Sequence, residues 1–278
     1  MNEEEINFQE MIDSILESRK YRKLGLNPNT IEDVIRNEAP KHNSQKHLHK
    51  SVRRKLHNIV APYLGEPNYN ALSKELLRIK DPSPDSPEIY GFCRKVLSKH
   101  ASTAERLAYM REFYARLFEK TGKPRIMLDM ACGLHPLAFP WMGLPTSIEY
   151  YAYDIVQPRI DFINLFFKTI AIKPIAENRD ILVNPPQIHA DLGIFFKEAH
   201  RMEKRRSGCN REFWSNLNVD LLAVSLPTQD LSGSHSLLDQ HRNLIHENQL
   251  NHALVDELLF EDEIIFLINK SGKQSNHA

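Results

Sequence analysis

Residues 126–136 read Ile-Met-Leu-Asp-Met-Ala-Cys-Gly-Leu-His-Pro, and no other stretch limits the possible folds as tightly. A short apolar run ends in an acid, a turn of small residues follows, and then a proline. That order is how a buried first strand of an open α/β sheet presents its C-terminal end to a ligand. The turn Ala131-Cys132-Gly133 lets the backbone come close to a bound molecule. Downstream, strand and helix patterns alternate. Strands are expected over 148–154, around 177–183, over 191–196 and over 219–226. Helices are expected over 156–172, 197–206 and 236–250, with 254–260 and 263–268 as a terminal hairpin. Such alternation predicts an α/β fold with a mostly parallel, Rossmann-like sheet covered by helices on both faces.

Ahead of this region the pattern is helical. Ile6, Phe8, Met11, Ile12, Ile15 and Leu16 recur at helical spacing among acids. Asn27-Pro28-Asn29-Thr30 breaks the pattern, and Thr30 is a candidate N-cap for a helix starting near Ile31, with Asp33 favouring its N-terminus. Residues 41–63 read as one long helix with an apolar seam of Leu48, Val52, Leu56, Ile59 and Val60. The Pro/Ser-rich stretch 81–87 cannot continue a helix. The domain transition is therefore expected between 80 and 100: a helical domain over 1–90 and an α/β domain over 91–278. A helix capped by Ser102 or Thr103 and running to about Thr121 opens the second domain.

The formal net charge is zero, so bulk charge does not point to nucleic acid. Its distribution does. Residues 19–55 carry eleven Lys/Arg against three acids, whereas 212–263 carry ten acids against one Arg. Arg19, Lys20, Arg22, Lys23, Lys46, Lys50, Arg53, Arg54 and Lys55 form a candidate phosphate-binding surface. A run of charge on a helix, taken alone, is more often just a solvated face, and both readings stay open. The three cysteines are widely spaced, and the histidines of 42–57 form no ligand set, so no metal is expected. There is no apolar leader at the N-terminus and no run near the roughly 18–20 apolar residues of a membrane span. A cytoplasmic protein without membrane contact is expected.

Three acids fall near strand ends: Asp129, Asp154 and Asp180. An acid closing the second strand accepts hydrogen bonds from both hydroxyls of a ribose, the role expected of Asp154. Asp180 with the backbone of Ile181 is a candidate for the edge of an adenine. An acid at a strand end is as often a turn former, and for Asp129 and Asp180 that alternative stands. Cys132 is better suited to packing than to nucleophilic attack. The chain lacks G-x-G-x-x-G and a P-loop lysine pattern, which disfavours dinucleotide and phosphoryl-transfer enzymes.

Four segments taken together carry a resemblance. They are Ser18-Arg19-Lys20-Tyr21-Arg22; His100-Ala101-Ser102-Thr103 with Glu105-Arg106-Leu107; Leu128-Asp129 through Ala131-Cys132-Gly133-Leu134 to Pro136-Leu137-Ala138 and Pro140-Trp141-Met142; and Ser225 with Pro227-Thr228-Gln229. Over about residues 12–270 the chain resembles the aminoglycoside-resistance 16S ribosomal RNA methyltransferases, in particular those that methylate guanine at N7. The resemblance implies a class I S-adenosyl-L-methionine-dependent methyltransferase domain and an N-terminal helical domain that docks on 16S rRNA in the small ribosomal subunit. Carried over by position, Arg106 meets the methionine carboxylate, Ala131 and Gly133 lie under the cofactor, Asp154 holds the ribose, and Asp180 with Ile181 the adenine. Gln229 lies beside the cofactor or the target base. Two positions depart from the family pattern: His135 stands where Asn is usual, and Lys197-Glu198 where Lys-Thr is common.

The implied chemistry needs no catalytic acid or base. Guanine N7 has a lone pair and no proton to lose. Phe139 and Trp141 are candidates either to stack on a base or to pack in the core, and residues 226–234 are a candidate wall of the base pocket. Two alternatives remain at this stage: the same fold acting on adenine N1 or another nucleotide, and an RNA-binding assembly factor without catalysis.

Overall fold

The computed structural model describes residues 7–60, 67–99, 101–230, 233–249 and 253–271. Seven strands form one sheet in the order β3-β2-β1-β4-β5-β7-β6. They are β1 (Ile126–Met130), β2 (Glu149–Asp154), β3 (Glu177–Asn178), β4 (Ala190–Phe196), β5 (Val219–Pro227), β6 (Ala253–Leu259) and β7 (Glu263–Asn269). The first five are mutually parallel, and β7 inserts antiparallel between β5 and β6. The apolar run of β1 is buried from Met127 onward because both sheet faces are covered.

One face is packed by α5 (Tyr69–Leu76), α6 (Pro87–Leu97), α8 (Met110–Thr121) and α10 (Gln157–Thr169); α7 (Ala101–Ala104) and α9 (Phe139–Met142) are single turns. The other face is packed by α11 (Ala199–Arg205), α12 (Cys209–Asn216) and α13 (Leu238–Asn248). The chain runs outward from β1 to β2 and β3, then returns to β4 on the other side of β1. The loops after β1 and β4 therefore diverge and leave a crevice at their carboxyl ends.

The helices α1 (Phe8–Glu17), α2 (Arg19–Leu24), α3 (Pro28–Glu38) and α4 (Gln45–Val60) enclose a third apolar core of their own. The apolar residues of α5 and α6 belong instead to the sheet core. By core membership the break falls after α4, and a boundary at 90 would cut α6, whose buried face runs from Ile89 to Leu97.

Several local expectations change. The α3 helix starts at Pro28, not near Ile31, and Asn27 is its cap, accepting from the Asn29 N–H at 2.9 Å. The segment 101–121 is not one helix. It breaks at Tyr109, with a 3₁₀ turn over Glu105–Ala108, and the Thr103 hydroxyl donates to the Leu97 carbonyl at 2.8 Å. The third strand is only two residues long, and α12 carries no sequence expectation at all. His100, Pro62 to Glu66 and part of the 226–234 loop lie outside the described residues.

Candidate functional site: the crevice at the carboxyl ends of β1, β2 and β4

The turn after β1 is built as its small residues require. Ala131 (φ 56°) and Gly133 (φ 54°) both occupy the left-handed region, which costs Ala about 1–2 kcal/mol. Lys197, at the end of the adjacent β4, is the next non-glycine residue in that region beside the crevice (φ 58°). Strained backbone of this kind gathers where a chain shapes a ligand site. A Cβ at Gly133 would meet no atom within 4 Å, so the missing side chain leaves open space above the turn.

Asp154 ends β2 and is 2% exposed. Its Oδ1 accepts from the Val156 N–H (3.0 Å), and its Oδ2 accepts from the Gly133 N–H (3.0 Å) and from Arg159 Nη1 (2.7 Å). A carboxylate offers about four acceptor sites, so one remains for a ligand. Arg159, fully buried on α10, was not singled out from sequence; the visible signal is an arginine amid the apolar face of Ile160, Phe162 and Ile163.

Asp154 lines a cavity of about 390 Å³ together with Ala131, Asp180, Ile181 and Glu198. Its opposite wall comes from the helical domain, through Val34 and Asn37 of α3 and Asn58 and Ile59 of α4. The structure thus brings together four of the expected cofactor residues. The lining suits an adenosine: a buried acid with an acceptor site remaining for a ribose hydroxyl, apolar walls for a ring and a bare turn for the remainder. Asp180 is more heavily engaged than a free adenine contact requires. It accepts from the Thr30 hydroxyl (2.7 Å), Arg205 Nη1 (2.8 Å) and the Leu182 N–H (3.1 Å).

Asp129 does not face this cavity. It is buried behind the turn, accepting from Tyr150 Oη (2.7 Å) and His135 Nδ1 (2.7 Å). The His135 Nδ1–H donates to the Asp129 carboxylate, which only accepts, and its Nε2 is hydrogen-bonded to the Tyr114 hydroxyl at 2.5 Å. His135, 4% exposed, is therefore a member of a closed polar network inside the sheet core. Burial and the nearby Asp129 also push the Tyr150 hydroxyl far above its ordinary range, which keeps it a donor.

Arg106 lies on the 3₁₀ turn, 2% exposed, and does not line the cavity. It makes two parallel bonds to Glu263, Nε to Oε2 at 2.9 Å and Nη2 to Oε1 at 2.5 Å, between the rings of Phe113 and Phe196. Gln229 is exposed and bridges to Ser236 across the loop between β5 and α13, also away from the cavity. Glu198 is on it. Burial pushes its carboxyl up to about 7, against the pull of Arg201 at 2.7 Å and with the repulsion of Asp154. Phe139 is core, and Trp141 stands edge-on to Tyr90 at 4.9 Å. Burial, with the added repulsion of Asp129 and Asp154, raises the Cys132 thiol well above its usual range, which excludes a thiolate nucleophile.

The basic residues of 19–55 gather on the outside of α2 and α4. Arg19, Arg22, Lys23, Lys46, Lys50, Arg53 and Arg54 are exposed, and none of the nine is within 4 Å of an acid among the described residues. Lys20 donates to His57 Nδ1 at 2.7 Å, and its ammonium is lowered first by burial and then by the charge of Arg53. Cations crowded this closely without acids attract an external anion. Lys55 is turned toward the cavity mouth instead.

The ribosomal RNA methyltransferase (FmrO) family model matches residues 17–253. A relative from Serratia marcescens, the 16S rRNA (guanine(1405)-N(7))-methyltransferase, is 30% identical over 269 residues, covering 96% of this chain and all of its own. Among solved structures, that of the 16S rRNA methylase RmtB superposes with a TM-score of 0.79 at 29% identity, over 96% of this chain and the whole of that one. That of the 16S rRNA methyltransferase RmtF, in complex with S-adenosyl-L-homocysteine, shares the fold with a TM-score of 0.75 at 23% identity, over 98% of this chain and all of its own. With its strand order, its buried acid over a bare turn and its match across most of the length, the chain belongs to the FmrO family of ribosomal RNA methyltransferases.

Proposed function

We propose that the protein transfers a methyl group from S-adenosyl-L-methionine to N7 of a guanine in the aminoglycoside-binding decoding site of 16S rRNA, the reaction named for its Serratia relative. The observation that carries this reading is one juxtaposition. An adenosine-sized cavity at Asp154 opens between a methyltransferase sheet and a helical domain whose outer face is basic and lacks acid partners among the described residues. We place the helical domain on the small ribosomal subunit in the cytoplasm, with Arg19, Lys20, Arg22, Lys23, Lys46, Lys50, Arg53 and Arg54 on phosphates. Lys55, at the cavity mouth, is positioned for the backbone of the nucleotide that enters. Phosphate contacts fix register and RNA shape supplies much of the specificity. Modification at this site is expected to confer aminoglycoside resistance.

Asp154 would accept from the ribose, Asp180 and Ile181 would border the adenine, and Ala131 and Gly133 would present backbone beneath the cofactor. Arg106 would meet the methionine carboxylate with the donors that Glu263 leaves over, and Gln229 would lie beside the cofactor or the target base. When bound, S-adenosylmethionine supplies an electrophilic methyl on a sulfonium. Guanine N7 has no proton to lose, so these residues need only orient and exclude water. The positive charge moves from sulfur to the base, so acids or carbonyls near the reacting atoms would lower the cost of that charge. The target base has to leave its helix to reach the crevice.

The test is transfer of labelled methyl to isolated small subunits, followed by chemical cleavage at N7-methylguanine and primer extension. A single guanine in the decoding site is expected, with no signal from Asp154→Ala. A product at adenine N1, or cofactor binding without transfer, would refute the assignment.

A further inference from the structure

The two domains meet at the cofactor pocket itself. Val156, two residues beyond Asp154, is fully buried in the core of α1–α4 and not in either core of the sheet. The turn between α2 and α3 runs antiparallel to this loop and bridges Leu26 to Val156. The Asn27 N–H donates to the Ile155 carbonyl at 3.1 Å, and the Gln157 N–H donates to the Gly25 carbonyl at 3.3 Å. Gly25 has φ +53°, and a Cβ there would stand 2.9 Å from Gln157 Cβ, so the approach needs glycine. Asn27 Nδ2 donates to the Asn178 carbonyl at 2.9 Å, which ties the same turn to β3.

A second tie lies deeper. Arg205 of α11 reaches between two acids of different domains, with Nη2 on Asp33 Oδ2 at 2.6 Å and Nη1 on Asp180 Oδ2 at 2.8 Å. The Thr30 hydroxyl donates to that same Asp180 oxygen at 2.7 Å. Asp180 and Thr30 are 2% and 0% exposed, and the Arg205 side chain 11%. The Thr30–Asp180 bond is closed to solvent, whereas Asp33, 17% exposed, and Arg205 meet the cavity, and the Asp180 carboxylate takes its direction from α3. Neither Thr30 nor Asp33 is on the basic outer face.

We propose that the helical domain completes the S-adenosylmethionine pocket: Thr30 and Asp33 of α3 are positioning residues that hold Arg205 and aim Asp180, and the 25–27 turn sets the loop behind Asp154. This rests on the placement of the adenosine at Asp154 and Asp180. The domain read from sequence as an RNA-docking module alone then has a second duty on its inner face. Its helices supply a wall of the cavity as well as the bonds that orient the opposite wall.

The test uses the full chain without RNA and S-adenosylhomocysteine as the probe, by titration calorimetry. Asp33→Asn and Thr30→Val are each expected to weaken binding about tenfold, the scale of a lost buried bond to a charged group. KM for S-adenosylmethionine rises by the same factor. At saturating cofactor, kcat and affinity for small subunits stay within about twofold of the parent, a split that general damage would not give. Asp33→Glu, which keeps the charge, recovers at least half of the loss, and Gly25→Val reproduces it from the other side of the pocket. If Asp33→Asn melts below the assay temperature, Thr30→Val decides, since it leaves every charge in place. Asp154→Ala runs in parallel. If it abolishes binding while Asp33→Asn and Thr30→Val remain within twofold of the parent, the inference is overturned and the pocket stands. If Asp154→Ala itself binds like the parent, the pocket assignment falls and the inference with it.

Discussion

The pair Arg106–Glu263 joins the turn before α8 to the start of β7, with 2% and 0% of its side chains exposed. Burial by itself would raise the Glu263 carboxyl, but Arg106 and then Lys197 outweigh it and hold the group below its ordinary value. Glu263→Ala leaves a guanidinium buried without its partner, a loss of about 3–5 kcal/mol. That is a large share of the roughly 5–15 kcal/mol that holds a domain folded. At about 2–4 °C per kcal/mol for a chain of this size, the unfolding midpoint falls by roughly 6–20 °C. The double variant Arg106→Met, Glu263→Leu removes both charges and is expected within about 1–2 kcal/mol of the parent, or above it. A carboxyl depressed in the fold stabilises above its unfolded value of about 4.3 and loses that contribution as pH falls through the lower folded value. The acid limb of the parent's stability is therefore partly Glu263, and the double variant lacks it. Scanning calorimetry from pH 3 to 8 measures both effects, and titration with S-adenosylhomocysteine measures the ligand side. A double variant as unstable as Glu263→Ala would refute the desolvation argument. A stable double variant with parental cofactor affinity would leave Arg106 a structural residue only.

Glu198, raised to about 7, is destabilising in its charged form. The penalty grows as pH rises from the unfolded value of about 4.3 to the folded one, so Glu198→Gln should stabilise by about 1–3 kcal/mol at pH 8 and by almost nothing at pH 4, read from urea midpoints. All three cysteines are buried, and burial raises each thiol, that of Cys209 to about 12. Native protein is expected to resist iodoacetamide until it is unfolded, and mass spectrometry showing fast labelling of Cys132 would contradict the packing described. Arg53→Glu with Arg54→Glu should weaken small-subunit binding, flatten its salt dependence by about 0.7–0.9 in log–log slope for each phosphate no longer neutralised, and leave S-adenosylhomocysteine affinity unchanged; an unchanged slope would move the RNA-binding face elsewhere.

Much of the fold was legible because burial dictates composition locally. The run of β1 and the alternating strand and helix patterns mark a doubly covered sheet, and the observed strand bounds fall within a residue or two of those expected for β1, β2, β4 and β5. Short-range hydrogen bonding misled where a tertiary partner prevailed over it. Thr30 reads as a cap, but its hydroxyl belongs to Asp180, 150 residues away. Asp129 reads as one of three acids facing a ligand, yet β1 alternation and the neighbouring Tyr150 turn it inward, onto His135. His135 is a departure from the family pattern at the turn, and the structure gives it a role away from the cavity, as the link between Asp129 and Tyr114.

Sequence alone determined the kind of sheet, the position of the turn after β1, the acid that closes β2 and the basic character of residues 19–55. Each of these is set by neighbours a few positions apart, through periodicity, side-chain size and charge. Only the tertiary structure decided which acids face the crevice and which are taken up by buried arginines and hydroxyls. It also decided that α3 and the 25–27 turn press on the loop behind Asp154, and that the break in core membership falls after α4 and not near 90. The reason is physical. A buried charge must find a partner wherever the fold supplies one, and Asp33, Asp180 and Arg205 become neighbours only once two cores have closed around them.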